Sequence, residues 1–488
     1  MLSHELSANQ IKEKIIKREI TTQEVVEELF EWINLKEPLI KAYLCLDKDG
    51  ALLKAKEVDK KLDNGGKVGL LAGVPVALKD NICTVGIKTT CGSKILESFI
   101  PPYDAFVVKR IKEEDAIIIG KTNLDEFAMG SSNENSAFHI TRNPWDTDYI
   151  PGGSGGGSAA AVTADTAFMA LGSDTGGSVR QPSAFCGNVG CKPTYGRVSR
   201  YGLVAFASSL DQIGSVTKDV YDAALLLQVV SGHDGFDSTS ATVGVPHYIS
   251  DINNVDGNLR IGVPKEFFGK GLNSEVGSAV MNALEVYKRN GAELVDLSLP
   301  HCGYAVATYY IIATAEASSN LARYDGVRYG HRSQLSEDNI IDMYSRVRAE
   351  GFGSEVKRRI LLGNYVLSSG FYEDYYLKAS KVRNLIRNDF EDAFKKVDCI
   401  ISPTCPTPAF RIGEKITDPL QMYLSDIYTI PANLVGIPGI SIPCGFTTTG
   451  LPIGMQIMGK HFDEGKILKV AKLFENGTDF HLKKPELN

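Results

Sequence analysis

Short apolar segments alternate with longer amphipathic ones along this chain, and no other feature constrains its fold as strongly. Residues 259–263 and 293–297 have the pattern of strands, and residues 274–290 between them have the pattern of a helix. Residues 105–113 and 116–120 predict a helix followed by a buried strand. Such alternation is typical of a sheet covered by helices on both faces. We therefore predict an α/β fold with a central mixed, mostly parallel twisted sheet.

The 488 residues are predicted to form a single large domain. With 43% hydrophobic and 23% charged residues, the chain has an ordinary globular composition and is long enough to bury a large core. No Pro/Ser-rich linker, internal repeat or block of like charges marks a boundary in the sequence. We expect an N-terminal helical region at 1–65, a core at 66–250 and the remainder of the sheet at 251–488, with a mostly helical segment at 303–396.

The charge balance and the cysteine pattern exclude several classes of protein. The 52 Lys and Arg residues against 59 Asp and Glu give a net charge of −7, so any nucleic acid would be held mainly by a partner. The nine cysteines are scattered without a C-x-x-C pair, which indicates neither a metal site nor a disulfide framework. The sequence contains no run of 18 apolar residues and starts without a signal-peptide pattern. We therefore predict a cytoplasmic protein with no membrane segment and no metal.

Two glycine- and serine-rich segments stand apart from the rest of the sequence. Residues 151–161 are PGGSGGGSAAA, and residues 172–182 are GSDTGGSVRQP. A flexible linker is disfavoured because the flanks are apolar and helix-forming. A phosphate-binding loop is disfavoured because the G-x-G-x-x-A letters at 155–160 do not follow an apolar strand, and the sequence has no G-x-x-x-x-G-K-[ST]. Nucleophilic catalysis is the third interpretation.

A serine nucleophile needs oxyanion donors and a base. The consecutive N–H groups of Thr175, Gly176, Gly177 and Ser178 can converge on a developing oxyanion, and Ser178 adds a hydroxyl. None of the eight histidines lies in or beside the two segments, although distance in sequence does not exclude a spatial partner. Lys79, which follows the apolar segment 70–78, can serve as the base if burial leaves it neutral. A Ser-x-x-Lys match at 215–218 lacks the S-D-N and K-T-G elements that accompany that motif in acyl enzymes.

Lys79, Ser154 and Ser178, with the residues around them, resemble the amidase signature family of serine hydrolases, which use a Ser-Ser-Lys triad. Ser154 and Ser178 are 24 positions apart, as in the pattern of the family. The resemblance implies the amidase signature fold over residues 1–488. Further segments that agree with the family are 73–82, 120–132, 187–196, 208–214 and 450–459.

Within the family, segments 127–138, 316–330 and 356–370 are most similar to the A subunits of aspartyl/glutamyl-tRNA amidotransferases, which are glutaminases. This resemblance implies that Ser178 attacks the side-chain amide of glutamine. Ser154, which follows a cis peptide in the family, would pass the proton to Lys79.

The resemblance also implies a pocket for the α-carboxylate and α-ammonium groups of glutamine. The Tyr, Arg and Asp that family members use there correspond to Tyr310, Arg359 and Asp426, and the segment 303–396 would line this pocket. The neighbours Tyr309 and Arg358 leave the register open by one position.

The partners implied by the resemblance are a tRNA-amidating B subunit together with a small C subunit. The tRNA-amidating partner would use the ammonia to convert Glu-tRNA(Gln), Asp-tRNA(Asn) or both, with ATP and Mg on that partner and no cofactor in this chain. Misacylated tRNA would be held mainly through the partner. A stand-alone amidase acting on other carboxamides is the alternative.

The sequence departs from the family pattern at Gly155, where the family usually has serine. This departure is expected to loosen Ser154 and slow catalysis, and it also raises the alternative of a non-enzymatic scaffold.

Overall fold

The computed structural model describes residues 3–254, 259–334, 339–415 and 418–487. Eleven strands within these residues form one continuous sheet. They are β1 (Tyr43–Leu46), β2 (Pro75–Lys79), β3 (Ile117–Thr122), β4 (Met169–Asp174), β5 (Val189–Lys192), β6 (Gln212–Thr217), β7 (Arg260–Pro264), β8 (Glu293–Leu297), β9 (Cys399–Pro403), β10 (Gly439–Phe446) and β11 (Pro452–Met458).

Sixteen α-helices accompany the sheet within the same residues. They are α1 (Ala8–Ile16), α2 (Thr22–Ile40), α3 (Lys48–Asp63), α4 (Phe106–Glu113), α5 (Gly156–Thr163), α6 (Arg180–Cys186), α7 (Val220–Val230), α8 (Tyr248–Asp251), α9 (Ser274–Arg289), α10 (Ala305–Asn320), α11 (Ile340–Gly351), α12 (Ser354–Leu367), α13 (Lys378–Ala393), α14 (Pro419–Leu424), α15 (Ile430–Val435) and α16 (Glu464–Asn476). The described residues contain no helix that is both long and apolar enough to cross a membrane.

The strand order is β1-β3-β2-β4-β6-β5-β10-β11-β9-β7-β8. The predicted mixed α/β sheet is confirmed, but the expectation that it is mostly parallel is wrong. Within the described residues, four neighbouring pairs are parallel, β3–β2, β2–β4, β9–β7 and β7–β8, and six are antiparallel. The parallel pairs lie towards the two ends of the sheet. The centre is antiparallel because strands such as β10 and β11 are joined by a short turn, which reverses the chain without a crossover helix.

The N-terminal region is helical as predicted, except for β1. Ser7 caps α1 and Thr21 caps α2, each as part of a capping box with the residue three positions later. The four residues of β1 pair antiparallel with β3, and the Tyr43 hydroxyl donates to the carbonyl of Thr166 at 2.8 Å. A strand of four residues gives little periodicity, which is why the helical prediction passed over it.

The strand ends place the two glycine-rich segments next to each other. The parallel strands β2 and β4 are neighbours that end at Lys79 and Asp174, so their carboxyl ends meet at one edge. The first segment leads into α5 and the second into α6, and both helices are buried. Gly157 on α5 allows close packing, since a Cβ there would lie 2.5 Å from the carbonyl oxygen of Asn123. Within the segment 303–396 that is predicted to be mostly helical, the described residues form α10, α11, α12 and α13.

Candidate active site

Lys79, the predicted base, is fully buried at the end of β2. Its Nζ lies 2.8 Å from Ser154 Oγ, 3.0 Å from Ser173 Oγ and 3.1 Å from the carbonyl oxygen of Ser173. Burial lowers the pKa of Lys79 to about 8, although buried carboxylates nearby act in the opposite direction. About one tenth of this amine is therefore neutral at pH 7 and able to accept a proton, and the fraction rises with pH.

Ser154 and Ser178 lie on either side of the contact between the two glycine-rich segments. The peptide bond between Gly153 and Ser154 is cis. Ser154 is fully buried, whereas Ser178 is 7% exposed and so has some contact with open space. The N–H of Gly155 donates to the carbonyl of Ser178 at 3.2 Å, which ties the two segments together. Within the described residues the Ser178 hydroxyl forms no hydrogen bond, so Ser154 Oγ is joined to Lys79 but not directly to Ser178 Oγ.

The loop 175–178 presents consecutive backbone donors. None of the N–H groups of Thr175, Gly176, Gly177 and Ser178 is hydrogen-bonded to another described residue. Thr429 fixes the loop from behind, because its hydroxyl donates to the carbonyl of Gly176 at 2.6 Å. Gly177 has φ +143°, and a Cβ there would lie 2.3 Å from Thr429 Oγ1, so this position requires glycine. The predicted oxyanion donors are thus free.

Two buried carboxylates hold the ends of this loop. Asp211 accepts a hydrogen bond of 2.7 Å from the Thr175 hydroxyl. Asp174 forms a fully buried ion pair with Arg180, in which both Nε and Nη2 lie 3.1 Å from the carboxylate oxygens, and Asn433 Nδ2 donates to it at 2.8 Å. Burial acts to raise the pKa of Asp174, but the guanidinium and the hydrogen bonds outweigh it and lower that pKa to about 2. Asp174 is therefore ionised and fixes the start of α6.

Arg359, a predicted pocket residue, is buried and caged by aromatic rings. Its guanidinium carbon lies 5.2 Å from the ring centre of Tyr310, 5.5 Å from Tyr423 and 5.6 Å from Phe206. Its Nε donates to Glu355 at 2.8 Å, four residues earlier on α12. Nη1 and Nη2 form no hydrogen bond within the described residues. This planar fork is the arrangement that binds a carboxylate with two parallel hydrogen bonds.

The structure decides between Arg358 and Arg359 as the pocket arginine, but it does not decide between Tyr309 and Tyr310. The Arg358 side chain is 46% exposed and contacts Glu355 from outside, whereas Arg359 points into the molecule. Tyr310 stacks on Tyr423 at 3.9 Å between ring centres and faces Arg359. Tyr309 packs against the oxyanion loop, since a Cβ at Gly176 would lie 2.8 Å from the Tyr309 hydroxyl oxygen.

Asp426, the predicted partner of an ammonium group, is buried near Arg359 and the loop. Its Oδ2 accepts a short hydrogen bond from the Ser131 hydroxyl, and its Oδ1 is buried without a hydrogen-bond partner among the described residues. Burial raises the pKa of Asp426 to about 7. A buried carboxylate oxygen without a partner is costly unless a ligand satisfies it.

Some site residues were missed at the level of sequence. Glu355 could have been found, because it stands four residues before Arg359 on a predicted helix. Tyr423 has no local sequence signal, and Gln181 and Ser131 lie within the segments 172–182 and 120–132 without a pattern that marks a role for them. The described residues contain no group of three or more His, Cys, Asp or Glu side chains that could hold a metal ion, and the absence of metal stays a prediction.

Comparison with known proteins identifies the family. Residues 24–468 match the family model described as Amidase. The chain belongs to the amidase family. It is 59% identical over 482 residues to the glutamyl-tRNA(Gln) amidotransferase A subunit of Carboxydothermus hydrogenoformans, with 99% of both chains covered. It is 57% identical to the protein of the same name from Bacillus velezensis, with 98% of both chains covered.

Solved structures of amidases agree with this assignment. The glutamyl-tRNA(Gln) amidotransferase A subunit of Thermotoga maritima has a TM-score of 0.83 and 42% identity, covering 100% of this chain and 99% of that chain. A 6-aminohexanoate cyclic dimer hydrolase has a TM-score of 0.87 but only 27% identity, with full coverage of both chains. The amidase fold is therefore shared between relatives that differ in the names of their substrates.

Proposed function

We propose that this amidase is the glutamine-hydrolysing subunit of a tRNA-dependent amidotransferase. The observation that carries the proposal is the pairing of two unsatisfied groups beside the oxyanion loop, the free guanidinium fork of Arg359 and the free carboxylate oxygen of Asp426. These groups complement the α-carboxylate and the α-ammonium of an amino acid. The similarity to amidotransferase A subunits over almost the whole chain supports glutamine as that amino acid.

In the acylation step, Ser178 Oγ attacks the carboxamide carbon of glutamine. The Ser178 proton passes to Ser154 Oγ, and the Ser154 proton passes to the neutral amine of Lys79, which lies 2.8 Å away. The oxygen of the amide gains negative charge and accepts hydrogen bonds from the free N–H groups of the loop 175–178. The tetrahedral intermediate then collapses with cleavage of the C–N bond, and the leaving nitrogen takes a proton back through Ser154 to depart as ammonia.

In the deacylation step, water attacks the ester carbon of the glutamyl-enzyme. The water proton passes to Lys79 through Ser154, and the same N–H groups bind the oxyanion again. Collapse of this intermediate breaks the bond to Ser178 Oγ, which recovers its proton, and glutamate is released. One glutamine and one water thus give one glutamate and one ammonia.

The ammonia would be used outside this chain. We propose that it passes to a tRNA-amidating B subunit, which forms Gln-tRNA(Gln) or Asn-tRNA(Asn) from the misacylated tRNA with ATP and Mg, and that a small third protein, the C subunit, completes the complex in the cytoplasm. The net charge of −7 supports a chain that leaves tRNA binding mainly to its partner. The word subunit in the names of the relatives supports an assembly of several chains.

Recovery of the tagged chain from its own cells tests the assembly. Two co-purifying proteins, one similar to the tRNA-amidating partner and one to its small companion, are expected in stoichiometric amount. The catalytic proposal is tested by comparing the hydrolysis of glutamine with that of aryl and fatty amides. A clear preference for amides without α-substituents, from a chain that purifies alone, would contradict the glutaminase and favour the stand-alone amidase.

The scaffold alternative is tested separately. A fluorophosphonate probe is expected to label Ser178 covalently, as intact-mass analysis would detect. An unlabelled wild-type chain would support a non-enzymatic role.

A further inference from the structure

Gln181 lies between the proposed relay serine and the proposed glutamine pocket, and no step above uses it. Gln181 is fully buried in the first turn of α6, three residues after Ser178. Its Oε1 accepts a hydrogen bond of 2.8 Å from the N–H of Gly153, and its Nε2 donates one of 2.7 Å to the carbonyl of Ser131. One side chain therefore joins two loops that are separate in sequence.

Each of these loops carries a group with a proposed role. Gly153 forms the peptide that leads into Ser154, and the hydroxyl of Ser131 donates to Asp426 Oδ2. A continuous series of contacts thus runs from the carboxylate of Asp426 through Ser131 and Gln181 to the peptide before Ser154. All of these residues are buried, so water does not compete for the hydrogen bonds.

Close packing holds the amide of Gln181 in one orientation. Gly152 has φ +85°, and a Cβ there would lie 2.5 Å from Gln181 Oε1 and 2.8 Å from Pro182 Cα. The backbone N–H of Gln181 donates to the carbonyl of Gly177 in the oxyanion loop at 2.7 Å. Gln181 therefore contacts the oxyanion loop, the relay segment and the loop behind Asp426.

We propose that Gln181 is a positioning residue that couples binding of the substrate ammonium group at Asp426 to the alignment of Ser154. The inference rests on the proposed function, because it concerns the same site. An ammonium group bound at Asp426 fixes that carboxylate and, through it, the loop of Ser131. Through its two hydrogen bonds, Gln181 then fixes the peptide before Ser154. Ser154 is therefore better aligned for proton transfer when the substrate is an amino-acid amide than when it is a simple amide.

The test compares the full-length wild-type chain with Gln181→Met, which keeps the side-chain volume and removes both hydrogen bonds. We measure the rate of fluorophosphonate labelling of Ser178, and kcat and KM for glutamine. Both the labelling rate and kcat are expected to fall at least about tenfold, because buried groups on both loops lose their partners. KM is expected to rise, because the Ser131 loop no longer supports Asp426.

Asn188→Leu is the matched control. Asn188 is also a buried amide, and its Nδ2 donates to the carbonyl of Ala159 and to Thr163 Oγ1, both at 2.9 Å. This substitution removes two buried hydrogen bonds outside the series of contacts. Its labelling rate and kinetics are expected to stay within about twofold of wild type. Wild-type kinetics in Gln181→Met, or an equal loss in Asn188→Leu, would overturn the proposal.

If Gln181→Met does not fold, the same measurements are made on Gln181→Glu. A glutamate oxygen accepts the hydrogen bond from Gly153, and when the assay is run at a pH high enough to ionise the buried carboxyl group, the side chain has no donor for the carbonyl of Ser131. Labelling near the wild-type rate with a raised KM is expected, and an unchanged KM would overturn the coupling. Because labelling needs no glutamine, a wild-type chain that is labelled but hydrolyses no glutamine would refute the proposed function while leaving the effect of Gln181 on Ser154 measurable.

Discussion

Replacement of Ser173 by alanine should move the pH profile of glutamine hydrolysis to lower pH. Burial lowers the pKa of Lys79 to about 8, and the neutral amine is the proposed base. Ser173 Oγ accepts a hydrogen bond of 3.0 Å from Lys79 Nζ, which favours the charged form. A hydrogen bond to a charged group contributes about 1.5 kcal/mol. Its loss corresponds to about one pKa unit, so the midpoint should fall from about 8 to about 7.

The predicted shift in the midpoint of the pH profile has a defined sign and size. The deprotonated amine is the active form, so the rate rises with pH in both proteins and only the midpoint moves. At pH 7 about one tenth of the wild-type chains hold the neutral amine, against about half of the Ser173→Ala chains. The value of kcat at pH 7, as a fraction of its plateau near pH 9, should therefore increase about fivefold in the variant.

The assay measures glutamate release by chromatography at saturating glutamine. Saturation is needed because burial raises the pKa of Asp426 to about 7, so that KM also depends on pH and falls as this carboxylate ionises. Ser178→Ala supplies the background at each pH. An unchanged midpoint, or one that moves upward, would refute the assignment of Lys79 as the base.

Four other substitutions test the remaining parts of the site. Ser178→Ala should abolish hydrolysis of glutamine, and appreciable turnover would mean that the nucleophile is misassigned. Lys79→Ala should lose nearly as much activity with an unchanged circular dichroism spectrum, whereas full activity would exclude it as the base. Arg359→Lys should raise KM for glutamine about tenfold with a smaller change in kcat, because an ammonium group cannot form the bidentate contact; equal KM values would contradict a carboxylate role. The packing argues against the expectation that Gly155 slows catalysis, because a Cβ there would lie 2.5 Å from the carbonyl oxygen of Ser178. Gly155→Ser should therefore lower kcat, and a faster enzyme would uphold the expectation drawn from the family pattern.

The sequence predicted the parts of the fold and site that depend on local pattern. The helices α4 and α9 and the strands β3, β7 and β8 were recognised within one or two residues because their apolar spacing is regular. The strands β4, β5 and β6 were not singled out. They are buried along their whole length, as β3 is, but glycine, serine or charged residues interrupt them, so they lack the continuous apolar run that marks β3. The directions of the central strands could not be read from any local pattern.

The site residues likewise divide into those that a local sequence pattern marks and those that it does not. Lys79, Ser154 and Ser178 stand in motifs whose glycines and spacing are visible in the sequence. Gln181 bridges residues that are 28 and 50 positions away, and Ser131 contacts Asp426 over 295 positions. Contacts of this length depend on the completed sheet, so a single sequence gives no signal for them.

The two sets of site residues, the catalytic groups and the proposed glutamine-binding groups, come from different parts of the fold. The base and both serines come from β2 and from the segments that lead into α5 and α6, next to the central sheet. The groups proposed to hold glutamine come from α10, α12 and the turn after α14, which pack on that edge. A hydrolase of a cyclic dimer at 27% identity retains the overall fold with a TM-score of 0.87. On the proposed assignment of roles, substitutions on α10, α12 and the turn after α14 would alter the pocket without moving the nucleophile, the relay serine or the base.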